Sequence, residues 1–127
     1  MIMSKYKSQG FKNTFKNARK GMRLAIRSER NIRVHLATAL FVMLLGVFLG
    51  LDSVKICILL LTVAMVVSME MINSAIEFSL DAVFHNRYSK LVGMAKDISA
   101  GAVMFVTIIA VVIGCLIFLP AIWTKFF

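Results

Sequence analysis

The chain has 127 residues, of which 60% are hydrophobic and 17% charged, and a formal net charge of +9; its mean hydropathy is +0.86. That length suits one domain, and the composition excludes an ordinary soluble enzyme in favour of a polytopic membrane protein. The charge is one-sided: residues 1–33 hold ten Lys/Arg against the single acid Glu29, whereas five basic and five acidic residues cancel beyond that point, so the basic segment fits an anionic lipid surface rather than a nucleic acid.

The first expected element is an amphipathic helix over roughly 8–30. Phe11, Phe15, Ala18, Met22, Ala25 and Ile26 recur at helical spacing, and Lys12, Lys16, Arg19, Lys20, Arg23 and Arg27 fill the positions between them. Such a helix lies flat at a membrane interface with its long basic side chains turned outward. No secretory leader is expected, because the first apolar block begins only after about thirty largely polar residues.

Three apolar helices follow, over roughly 33–51, 54–84 and 97–124. A bilayer core of about 30 Å needs about 20 helical residues, so each can span it. Only Asp52-Ser53 separates the first two, which predicts a tight helical hairpin. Cys57 and Cys115 fall inside apolar runs without ligand spacing and read as small apolar residues. The fold class is therefore all-α integral membrane: three transmembrane helices and an interfacial helix. The arm and the Arg87/Lys90/Lys96 loop together carry thirteen Lys/Arg, and the opposite ends carry two. The positive-inside rule then places the N-terminus in the cytoplasm and the C-terminus outside the cell membrane.

Counting along the second span puts Glu70, Asn73, Glu77 and Asp81 around the inner interface, within an arc of about 80° on one helix face. Ionisable groups at that depth cost several kcal/mol unless paired, hydrated or bound to a cation. Lys96-Asp97, Glu29 and the polar loop 86–90 reach the same level. Several acids beside a lysine suit Mg²⁺ and a polyphosphate, because Mg²⁺ takes one or two carboxylates and completes its shell with phosphate oxygens and water. Phosphoryl transfer needs little more than metal, positive charge and a base aligned on the attacking hydroxyl. Soluble nucleotide motifs are missing: the sequence has no G-x-x-x-x-G-K-[ST], no glycine-rich kinase loop, no nucleophile elbow and no zinc spacing. The histidines, His35 and His85, read first as structural or interfacial residues.

Glu70-x-x-Asn73-Ser74-Ala75-Ile76-Glu77-x-x-x-Asp81, followed by Ala95-Lys96-Asp97-x-Ser99-Ala100-Gly101-Ala102-Val103, resembles the signature of the small prokaryotic diacylglycerol kinases. Lys20-Gly21-x-Arg23 and Glu29 extend the resemblance into the arm. It implies a homotrimer with active sites between subunits that phosphorylates a lipid alcohol with Mg-ATP at the cytoplasmic face. By position it makes Glu70 the general base and Glu29 and Glu77 the Mg²⁺ ligands. Asn17, Glu29, Glu77, Lys96 and Asp97 become ATP contacts, supported by Asn73 and Asp81. The arm departs from some relatives, which carry an aromatic residue at the place of Asn17 and a basic one at that of Gly10; the loop before Lys96 also differs in length. Glu29-x-Asn31-x-Arg33-x-His35 resembles the Gram-positive branch, which phosphorylates undecaprenol, and this implies lipid contacts from Arg23, Arg33 and His35. Diacylglycerol is the alternative substrate. A small multidrug-type transporter is the alternative of another class, distinguished by a carboxylate near the bilayer midplane; an inactive scaffold retaining the fold is a third.

Overall fold

The structure, a computed structural model, describes residues 10–127. Helix α1 runs over Phe11–Ser28 and buries none of its residues; positions 8 and 9 of the expected arm helix lie outside the described residues. Phe11, Phe15 and Met22 are exposed on it. An apolar face left bare on a basic helix is suited to the headgroup boundary of a membrane.

Sequence periodicity carried the arm helix through residue 30, but the backbone breaks at Glu29, whose φ of −115° and ψ of 115° are extended. The Arg33 guanidinium stabilises this joint. Its Nη1 donates to the carbonyls of Ile26 at 2.9 Å and Arg27 at 2.8 Å, two groups that a helix end leaves without intrahelical partners. Helix α2 therefore starts three residues earlier than expected and spans Arg30–Phe48.

α2 ends before residue 51 because Gly50 adopts a left-handed φ of +72°. The N–H of Leu51 reaches the Gly46 carbonyl at 3.1 Å, and that of Gly50 reaches Val47 at 3.0 Å. This is a Schellman ending, for which glycine is the residue without steric penalty. Asp52 then caps α3, Ser53–Phe84, by accepting the Lys55 N–H.

The hairpin closes tightly at Gly46, which is buried. A Cβ there would lie 3.2 Å from the side-chain tips of Ile56 and Leu51 and 3.4 Å from that of Leu59. Alanine fits if those tips give by a few tenths of an ångström, whereas a branched side chain forces the helices apart. Gly46→Leu is expected to cost about 2 kcal/mol through overpacking, read as a lower thermal midpoint in a fixed detergent, with Gly46→Ala close to the parent.

His85 and Asn86 follow α3 with φ of 52° and 62°, and the Asn86 N–H folds back on the Asp81 carbonyl. Helix α4 spans Lys90–Phe126. It starts a turn or more before the expected residue 97 because Ser89 accepts the Val92 N–H and caps it. Pro120 lies within α4.

α3 packs against both α4 and α2, and α1 packs against α2. The buried apolar side chains among the described residues are Ile32, Leu59, Val66, Val92 and Ile117. So small a core leaves most leucine, isoleucine and phenylalanine side chains exposed. That arrangement fits hydrocarbon as solvent, and α2, α3 and α4 are each long and apolar enough to cross a bilayer. The protein is a multi-pass, all-helical membrane protein. With 32 and 37 residues, α3 and α4 are about 48 and 55 Å long, well beyond a hydrocarbon core of about 30 Å. They therefore project past it.

Candidate functional site

The polar side chains gather at the end of the bundle opposite the α2–α3 hairpin. On α3 the buried residues Leu59, Val66, Glu70 and Ser74 form one stripe; it changes from apolar to polar where the helix approaches the α4 N-terminus. Rise along α3 places Glu70 about 26 Å and Glu77 about 36 Å from Ser53. A core of about 30 Å beginning at Ser53 would contain Glu70 by about one turn and exclude Glu77.

Glu70 is 5% exposed. Its Oε2 lies 3.7 Å from His35 Nε2 of α2, and it accepts no hydrogen bond from any described residue. One turn further, the Ser74 hydroxyl is buried and has no hydrogen-bond partner among the described residues. Asn73 Oδ1 accepts the Ser99 hydroxyl of α4 at 2.7 Å. Asp81 Oδ1 accepts from Lys96 Nζ, also at 2.7 Å. Three interhelical contacts thus tie the face of α3 that bears Glu70, Asn73 and Asp81 to its neighbours.

Lys96 precedes the uncharged apolar stretch 98–124 and stands in the projecting part of α4. Its hydrogen bond to Asp81 raises its pKa above the ordinary lysine value; partial desolvation opposes this, and the charges of Asp81 and Glu77 add to the rise. The ammonium therefore stays charged at neutral pH, as a phosphate-binding group must.

Glu77 and Glu29 are half-buried and Asp97 is exposed. Neither glutamate accepts a hydrogen bond from a described residue, so their oxygens keep free lone pairs. Among the described residues no three His, Cys, Asp or Glu side chains form a metal-binding group. Glu29 and Glu77 fit magnesium by donor chemistry, as hard oxygen ligands in the mode that takes one or two carboxylates together with phosphate and water.

The structure does not bring every expected residue to this centre. Asn17 and Arg23 lie on the exposed side of α1, where they line a basic depression with Asn13, Lys16, Arg19 and Lys20. Arg33 faces the α1–α2 joint that it holds. Conversely, Ser74 and Ser99 had no role assigned from sequence and prove to be buried parts of the polar stripe. Their signal was present: Ser74 follows Glu70 by four residues and therefore shares its helix face.

A family model described as prokaryotic diacylglycerol kinase matches residues 16–118. An undecaprenol kinase of Bacillus subtilis is 36% identical over 87% of this chain and 89% of its own length. A diacylglycerol kinase of Synechocystis is 34% identical over 84% of this chain, which spans only 61% of that relative. A diacylglycerol kinase of Escherichia coli K12 is 31% identical over 84% of both chains. Together with the acidic α3 face and the Lys96-Asp97 pair, these matches place the chain in the prokaryotic diacylglycerol kinase family of membrane lipid kinases.

Proposed function

We propose that the chain phosphorylates undecaprenol, using Mg-ATP, at the cytoplasmic face of the cell membrane, as a homotrimer whose active sites lie between subunits. The observation that carries the reading is the offset along one face of α3. Glu70 is buried about a turn inside the expected hydrocarbon boundary, and Glu77, Asp81 and Lys96 stand beyond it. A lipid hydroxyl held at headgroup level reaches the first, and a water-soluble nucleotide reaches the others.

In this reading Glu70 is the general base on the lipid hydroxyl. Lys96 and Asp97 contact the nucleotide, Asn17 would do so from the α1 arm, which within one protomer stands apart from this centre, and Glu29 and Glu77 hold magnesium as well as the nucleotide. When bound, magnesium supplies charge neutralisation on the phosphates. Asn73 is fixed by Ser99, and Asp81 orients Lys96. The thirteen Lys/Arg that the sequence carries in the arm and the Arg87/Lys90/Lys96 loop support a cytoplasmic N-terminus and an external C-terminus.

Undecaprenol is favoured by the sequence Glu29-x-Asn31-x-Arg33-x-His35 and by the Bacillus relative, matched over nearly its whole length. Diacylglycerol is the second reading, favoured by the Synechocystis and Escherichia relatives, which are diacylglycerol kinases. Transfer of labelled phosphate from ATP to each lipid in detergent separates them. The expected result is a higher kcat/KM for undecaprenol; a preference for diacylglycerol by about tenfold, near 1.4 kcal/mol, overturns the substrate assignment.

The Asp81–Lys96 pair gives a further test. Both side chains are about a third exposed, so solvent screens the pair and it adds little to stability. Asp81→Asn is therefore expected to leave the thermal midpoint nearly unchanged while raising KM for ATP several-fold, as measured by nucleotide titration of turnover.

A further inference from the structure

Glu70 is nearly sealed from water, with a side-chain exposure of 6% against 28% for His35. A general base must lose the proton it has taken before the next cycle. Among the described residues His35 is the only basic side chain within 4.0 Å of Glu70. His35 also lines one end of an apolar groove of about 270 Å³ between α2, α3 and α4, with Thr38, Val66 and Thr107 among its walls. The imidazole is only partly buried and stands five residues, about 8 Å of helix, from Arg30 at the charged start of α2, so it lies between the buried carboxylate and the interface, where water is within reach.

We propose that His35 is a positioning and proton-relay residue for Glu70, an inference that rests on the kinase reading above. The lipid oxygen forms its bond to the γ-phosphorus as the bond from that phosphorus to the ADP oxygen breaks, and the hydroxyl proton passes to Glu70. Glu70 then gives the proton to Nε2 of a neutral His35. This regenerates the carboxylate beside an imidazolium, which releases the proton to water. At 3.7 Å the pair is about 0.8 Å beyond hydrogen-bond length, and contacts of this kind tighten when substrate binds. Before transfer the same imidazole orients the Glu70 carboxylate toward the space where the hydroxyl must lie.

The test is steady-state kinetics of the purified full chain in detergent with undecaprenol and diacylglycerol, comparing the parent, His35→Ala, His35→Gln and Glu70→Gln. His35→Ala is expected to lower kcat by about 10²-fold, the lower end of acid–base effects, with both KM values within about twofold. The truncation opens onto the groove, so added imidazole restores a substantial part of the His35→Ala turnover and none of the Glu70→Gln turnover. His35→Gln, which keeps the side chain's bulk but accepts no proton at neutral pH, stays as slow as His35→Ala. A raised KM for lipid at unchanged kcat overturns the relay and makes His35 a lipid contact. Recovery of turnover in His35→Gln, or no rescue by imidazole, overturns it in favour of packing. Absence of phosphate transfer to either lipid by the parent chain refutes the kinase reading and the relay with it, a result distinct from each of the others.

Discussion

Glu70→Gln is expected to lower kcat by about 10³-fold, within the range for loss of a general base, while Mg-ATP affinity stays within about twofold. Glutamine preserves the shape of the side chain but cannot take the proton of an attacking hydroxyl. The proposed nucleotide side of the site, at Lys96 and Glu77, lies about a turn or more further along and is untouched by the change. Burial adds a second expectation. Glu70 is 5% exposed, and holding a carboxylate there opposes folding unless its partners compensate. The amide should therefore leave the thermal midpoint equal or higher, an exchange of stability against activity common at functional sites. Equilibrium nucleotide binding, turnover and thermal unfolding on one preparation check all three; near-parental turnover would remove Glu70 from the base role.

Glu77→Ala is expected to move the magnesium titration of turnover to higher concentration by about tenfold, equivalent to about 1.4 kcal/mol of metal binding, and to reduce activity at limiting magnesium far more than at saturation. The half-buried carboxylate has no hydrogen-bond donor to satisfy, so its loss should not disturb folding. Its charge also contributes to the environment of Lys96, so some rise in KM for ATP should accompany the metal effect. An unchanged magnesium titration would take Glu77 out of the metal site.

The order of helices and the acidic face of α3 were legible in the sequence because each follows from a short-range regularity. Charge spacing defined the arm, run length defined the spans, and the 3.6-residue repeat put Glu70, Asn73, Glu77 and Asp81 on one side. The transporter alternative, raised by a glutamate in an apolar helix, yields to family membership. Two kinds of information were not legible. The break at Glu29 depends on an arginine four residues later reaching back to free carbonyls, a contact no periodicity encodes. The His35–Glu70 approach depends on the rotation of α2 about its axis, and α2 is apolar on nearly all sides, so its sequence leaves that rotation undefined. The Asn73–Ser99 bond is intermediate: both residues belong to the recognisable signature, but their pairing requires the register between α3 and α4.

The glycine-tight closure of the α2–α3 hairpin has a mechanical corollary. Gly46 is the close-packed pivot at one end, and His35 stands eleven residues, about 16 Å of helix, away along α2. On an arm of that length, about 3–4° of scissoring at the pivot changes the separation of the far ends by about one ångström. That is the interval between the His35–Glu70 distance of 3.7 Å and a hydrogen bond. A change of a few degrees in the hairpin angle would therefore be enough to close the proposed His35–Glu70 contact without altering any residue of the site.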